Sequence, residues 1–145
     1  MRMKEDFERY LGVDFGLKRI GIAVSDPLQI FAYPLITIAN DKSFWDNFEK
    51  TIRSYNLKAI ILGYPLRENG EKSETTLLVE KFESTLNKKF NIPIFRVDER
   101  YTSGIAQDII IQSVVSKKKR QDKGRIDKTA ASIILQDFLD SKKDN

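Results

Sequence analysis

Neither cysteine nor histidine occurs among the 145 residues of this sequence. The first absence excludes disulfides, zinc–thiolate sites and thiol nucleophiles together. The second removes the commonest general base, the usual catalytic triad and most zinc sites. Any catalysis by this chain must therefore rest on carboxylates, hydroxyls, lysine, tyrosine or a hard metal ion. Long apolar runs are missing too: none approaches the ~20 residues that a membrane span requires. The opening Met1-Arg2-Met3-Lys4-Glu5-Asp6 is charged, with no apolar stretch behind it. The expectation is a cytoplasmic protein with no membrane partner.

Hydrophobic residues make up 41% of the chain and charged residues 32%, a globular rather than a disordered balance. The length suits one hydrophobic core, so residues 1–145 are expected to form a single domain. A net charge of +4 permits a polyanionic partner without demonstrating one. Its distribution says more. Lys117, Lys118, Lys119, Arg120, Lys123 and Arg125 place six cations within nine residues, opposed only by Asp122.

Tyr10-Leu11-Gly12-Val13 and Ile20-Gly21-Ile22-Ala23-Val24 flank a short polar turn and read as a hairpin. Leu35-Ile36-Thr37-Ile38 supplies a third strand. Trp45, Phe48, Ile52 and Tyr55 share one face of a helical period, and so do Leu78, Phe82 and Leu86. Between these helices Ala59-Ile60-Ile61-Leu62 is a short continuous apolar run ending at Gly63, the pattern of a buried parallel strand. Ile94-Phe95-Arg96-Val97 is another strand, running into Asp98-Glu99-Arg100. A third helix is expected around Ile105 and Ile109, an exposed basic loop from Lys117 to Arg125, and a last helix from near Ile126 to Asp140. Three adjacent strands followed by strand–helix alternation predict an α/β fold with a mixed sheet flanked by helices. Ligand sites in such sheets lie at the carboxyl ends of strands.

Three acidic positions stand out. Asp14 ends an apolar run, where a carboxylate is costly unless it is paired, hydrogen-bonded or metal-bound. An ion pair with Lys18 or Arg19 across the turn and a ligand role are both open. Asp98 and Glu99 close a strand, and alternation lets only one of them face the side that Asp14 faces; plain solvation of a strand end is the other reading. Asp127 heads the apolar face formed by Ala131, Ile134 and Phe138, although aspartate is also a favoured helix N-cap. Carboxylates brought together repel one another and need a cation. An all-oxygen set suits Mg²⁺ or Mn²⁺. Two such ions activate a water and stabilise the leaving oxygen of a phosphodiester, which makes good the missing histidine. The basic run beside Asp127 would then hold a phosphate backbone close to the carboxylates.

Assembled in order, these segments resemble the YqgF (RuvX) family of Holliday-junction-resolvase-like nucleases, from about Leu11 to Leu139. Asp14-Phe15-Gly16-Leu17-Lys18-Arg19-Ile20-Gly21 is similar to its opening motif, followed by Ala23-Val24-Ser25-Asp26. Gly63-Tyr64-Pro65 with Asn69-Gly70 is similar to its central loop. Asp98-Glu99-Arg100-Tyr101-Thr102-Ser103 and Ile126-Asp127 with Ala130-Ala131 and Ile134-Leu135-Gln136 match its later motifs. Ser103 stands where threonine is more usual, and Tyr101 replaces an aliphatic residue. The resemblance implies an RNase H-like fold with a mixed five-stranded sheet. It also implies hydrolysis of nucleic-acid phosphodiesters dependent on Mg²⁺ or Mn²⁺, with the acids at Asp14, Glu99 and Asp127, and Glu99 favoured over Asp98. Lys18, Arg19, Arg100 and the six cations of 117–125 are the expected nucleic-acid contacts. Two substrates follow from it, the 5′ end of the pre-16S ribosomal RNA and branched DNA. A non-catalytic nucleic-acid-binding protein on the same fold is the remaining alternative, and the oligomeric state is open.

Overall fold

The computed structural model describes residues 4–101 and 123–143. Its strands are β1 (Glu8–Asp14), β2 (Arg19–Ser25), β3 (Ala32–Ala39), β4 (Asn56–Tyr64) and β5 (Ile94–Asp98). They are joined and covered by α1 (Phe44–Ile52), α2 (Glu74–Lys89) and α3 (Lys123–Lys143), with a single 3₁₀ turn at Glu99–Tyr101. The strand order is β3-β2-β1-β4-β5. β2 runs antiparallel to both of its neighbours, and β1, β4 and β5 run parallel. The expected meander followed by parallel crossovers is therefore what the chain forms.

Strand alternation divides the core in two. Leu11, Val13, Ile20, Ile22, Ile60 and Leu62 turn to α1 and α2, where Phe44, Phe48, Ile52, Val79, Phe82 and Leu86 meet them. Tyr10, Ala23, Ala59 and Ile61 turn the other way, onto Ala131, Ile134, Leu135 and Leu139 of α3. The central strands are covered on both faces, so they read as unbroken apolar runs rather than alternating ones.

Close approach of α3 depends on Gly12, where a Cβ would stand 2.8 Å from both the Ala131 carbonyl oxygen and the Leu135 Cβ. Further along, the Tyr10 ring packs edge-on against Phe138 at 5.3 Å. These contacts make α3 antiparallel to β1, with its N-terminal end toward the Asp14 end of the strand.

Local capping explains one departure from the apolar period. Leu78 was expected on the buried side of α2, yet it is 41% exposed while Val79 is fully buried. Ser73 accepts from the Thr76 backbone N–H, and the Thr76 hydroxyl accepts from the Ser73 N–H. That same hydroxyl donates to the Pro65 carbonyl. This capping box turns Thr76 inward and sets the buried stripe at 76, 79, 82 and 86.

Two boundaries also move. α1 stops at Ile52, so Tyr55 lies in the turn before β4 rather than on the helix, its N–H donating to the Ile52 carbonyl. α3 begins at Lys123, so Lys123 and Arg125 belong to its first turns and not to a loop. Gly124 weakens a helix by only about 1 kcal/mol and does not stop it. The expected helix around Ile105 and Ile109, and Lys117, Lys118, Lys119 and Arg120, lie outside the described residues.

Candidate active site

The carboxyl ends of β1, β4 and β5 reach the same edge of the sheet. Val13 pairs with Leu62, and Gly63 with Val97, so Asp14, Gly63 and Val97 come level with one another, and Glu99 stands two residues further on. The alternation that sends Tyr10 and Gly12 toward α3 sends Asp14 there as well. Ala59, Ile61 and Gly63 share that face in β4, and Val97 takes it in β5. Glu99, two residues after Val97, continues on the same side. Asp98 falls on the other.

The result is a direct meeting of two carboxyls: the side chains of Asp14 and Glu99 are hydrogen-bonded to each other. Burial pushes the Glu99 carboxyl above the usual glutamate range. The bond to Asp14 draws it back in part, and the nearby charge of Asp98 raises it again. Two carboxyls this close repel one another when both are charged, and a cation between them would relieve that repulsion.

Space for Glu99 is made at Gly63. A Cβ there would stand 2.7 Å from Glu99 Oε1 and 2.7 Å from Ile134 Cδ1. The sequence marks Gly63 only as the end of a strand, because the group it accommodates comes from the turn after another strand.

Asp98 is differently employed. Its Oδ1 accepts from the Arg100 backbone N–H at 3.0 Å, and Arg100 Nε and Nη2 reach its Oδ2 at 2.9 and 2.6 Å. The guanidinium holds the Asp98 carboxyl below the usual aspartate range, against the opposing effect of burial. Arg100, expected among the phosphate contacts, thus directs Nε and Nη2 at Asp98.

The β1–β2 turn carries Lys18 and Arg19 beside Asp14. A Cβ on Gly16 would lie 2.4 Å from the Arg19 carbonyl oxygen, so this turn admits no side chain there. Asn40 fastens it: its side-chain amide donates to the Gly16 carbonyl at 2.8 Å and its backbone N–H to the Lys18 carbonyl at 2.9 Å. Lys18 is exposed and Arg19 partly buried. Nothing local in the sequence ties Asn40, at the far end of β3, to this turn.

Asp127 lies on the fifth residue of α3, so its position is inside the helix and the N-cap reading does not hold. It stands one turn before Ala131, the residue packed on Gly12, in the direction that leads along β1 to Asp14. The side chains of Asp127, Lys123 and Arg125 are outside the described ones. Among the described residues no three acidic side chains gather closely enough to hold a metal ion. The described donors are the Asp14 and Glu99 oxygens, whose hard, negative character fits a divalent cation of the Mg²⁺ or Mn²⁺ type.

Comparison with known proteins bears on this arrangement as a whole. Residues 8–141 match the model of the RuvX family, described as a Holliday junction resolvase. A relative from Salinibacter ruber is 41% identical over 132 residues, covering 90% of this chain and 92% of its own. One from Roseiflexus is 40% identical over 143 residues, covering 97% and 100%. Both carry the name "Putative pre-16S rRNA nuclease". Among solved structures, the Fowlpox virus resolvase bound to Holliday junction DNA aligns with a TM-score of 0.57 at 15% identity, covering 92% of this chain and 98% of its own. T. thermophilus RuvC, also with a Holliday junction substrate, gives 0.51 at 12% identity, covering 94% and 96%. These distant likenesses establish an RNase H-like fold. With a family match that takes in all five strands and α3, this chain belongs to the RuvX family, and it is a nuclease.

Proposed function

We propose that this nuclease matures the 5′ end of pre-16S ribosomal RNA in the cytoplasm, using Asp14, Glu99 and Asp127 to hold Mg²⁺ or Mn²⁺. The observation that carries the reading is the Asp14–Glu99 carboxyl contact at the sheet edge. Partly buried acids are brought together at a cost, and a cation relieves it. Resolvase-like nucleases of this kind are in general dependent on divalent metal. When bound, the cation would polarise the scissile phosphate and lower the pKa of an attacking water. Asp14 and Glu99 would orient it from the sheet, and Asp127 would complete the set from α3. Lys18 and Arg19, with Lys117, Lys118, Lys119, Arg120, Lys123 and Arg125, would carry the phosphate backbone on either side. Such contacts add affinity without reading sequence, so substrate choice rests on the shape of the nucleic acid.

The ribosomal substrate is supported by relatives about 40% identical over nearly their full lengths that carry that name. A second reading, cleavage of a four-way DNA junction, is favoured by the family description. Cleavage of a pre-16S transcript and of a four-way junction, run side by side in Mn²⁺, separates the two. Asp14→Asn and Asp127→Asn should each abolish cleavage while leaving the thermal melt intact. Full activity in either variant would sink the assignment of the acids. A resolvase must cut two strands symmetrically, so a strict monomer that cleaves only the transcript supports the ribosomal role.

A further inference from the structure

We infer that Asp98 and Arg100 are positioning residues, a closed pair that aims Glu99 at Asp14, rather than a metal ligand and a phosphate contact. The inference rests on the proposed metal site and adds to it the device that holds one of its acids in place.

Glu99 is the residue between them. The Asp98 carboxylate accepts from the Arg100 backbone N–H and is gripped again by Arg100 Nε and Nη2. The chain is thereby cyclised around Glu99 by one backbone and one side-chain link, and the backbone angles of Glu99 are fixed as the strand gives way to the 3₁₀ turn. Arg100 is itself held from outside. Its Nη1 lies 3.5 Å from the Glu68 carbonyl oxygen, and a Cβ on Gly70 would come within 3.3 Å of that same nitrogen. Gly70 has φ of +85°, so glycine suits this spot for both backbone and space. The loop between β4 and α2 therefore braces the guanidinium, which braces Asp98, which sets Glu99. The pair has a second effect: with Arg100 in place, the Asp98 charge does not add in full to the two carboxyls beside it.

The sign of the Arg100 effect separates this inference from its rivals. By charge alone, removing a cation near the site should tighten binding of a dication. Loss of positioning should weaken it, by about ten-fold or more. Mn²⁺ titration calorimetry on the full chain, without nucleic acid, reads this directly. Arg100→Ala and Asp98→Ala should each weaken Mn²⁺ binding about ten-fold, and the double variant should be no worse than either single one. Asp98→Asn keeps an acceptor for the Arg100 N–H but loses the two-pronged grip, so its binding should fall between that of the parent and that of Asp98→Ala, whereas a lost ligand would make it as poor as Asp98→Ala. Unchanged or tighter binding in Arg100→Ala overturns the inference, and so does equal loss in Asp98→Asn and Asp98→Ala. Should either alanine variant fail to melt cooperatively, Arg100→Lys and Asp98→Asn carry the same comparison, with lysine unable to make the two-pronged grip and expected to weaken binding. Asp14→Asn is the reference. If the parent binds no Mn²⁺, or Asp14→Asn binds as well as the parent, the metal site itself fails and the positioning role with it. If Asp14→Asn loses binding while Arg100→Ala keeps it, only the positioning role fails.

Discussion

Glu99 Oε1 occupies the space where Gly63 has no side chain, 2.7 Å from the position a Cβ would take. Gly63 lies in β4 and Glu99 opens the 3₁₀ turn that follows the neighbouring parallel strand β5, and the missing atom on one is what admits the carboxyl of the other to the Asp14 side of the sheet. Ile134 Cδ1 presses on the same spot from α3.

Gly63→Ala should therefore separate activity from stability. The atoms in the way belong to the ends of two flexible side chains, Glu99 and Ile134, that can swing aside, so the cost to folding should be about 1 kcal/mol, the low end for overpacking. The Glu99 carboxyl, however, can yield only by leaving Asp14. Metal-dependent cleavage should fall about ten-fold or more, measured beside a urea melt of the same preparation. A variant that cleaves like the parent would show that Glu99 need not stand where it does.

Gly12→Ala should behave in the opposite proportion. Its Cβ would meet a backbone carbonyl of α3 and the Leu135 Cβ, both at 2.8 Å, and neither can rotate away. The helix as a whole must move off β1. A destabilisation of about 2–3 kcal/mol is expected, read as a lower urea midpoint. A midpoint within experimental error of the parent's would contradict the close helix–strand packing.

Acid and base act on different groups. Glu99 is raised by burial, so relative to an ordinary glutamate its contribution to stability is present below the unfolded pKa and lost as pH rises through the folded one. Asp98, lowered by Arg100, contributes above its unfolded pKa and loses that as pH falls through the folded value. In chelator, Glu99→Gln should melt higher than the parent at pH 8 and lose that advantage near pH 4. Added Mn²⁺ should raise the melting temperature of the parent at pH 8 but not that of Glu99→Gln. Equal melting of the two proteins at pH 8 in chelator would count against a buried, costly Glu99.

Gln136 makes a purely structural prediction. Its amide donates to the Ile30 carbonyl and accepts from the Ala32 N–H, both at 2.9 Å, stitching α3 to the start of β3. Asp26 organises the same loop from within, accepting from Ile30 and Phe31 at 2.7 Å. Gln136→Ala should cost about 1–3 kcal/mol, because a partly buried backbone N–H loses its partner. Saturating cleavage should be unchanged. A large loss of activity at full folding would place this loop in the reaction.

The periods in the sequence were sufficient for all five strands, since each is an apolar run bounded by polar or turn residues; the central strands are buried on both faces, while much of β3 and β5, at the edges, stays exposed or half-buried. The absence of histidine and cysteine, with Asp14 at the end of one run and Asp127 on an apolar helical face, pointed to acid-and-metal chemistry before any geometry was known. Asp98 and Glu99 are adjacent and chemically alike, and the chain order does not choose between them. The sheet register does, by carrying Val97 and then Glu99 to the α3 side, while Arg100 turns back to hold Asp98. Leu78 and Val79 could not be told apart for a similar reason: the buried stripe depends on Thr76 reaching the Pro65 carbonyl in a different element. The spaces at Gly12 and Gly63 are of the same kind. A sequence records residue types and their spacing along one chain, and these features are distances between segments that only folding brings together.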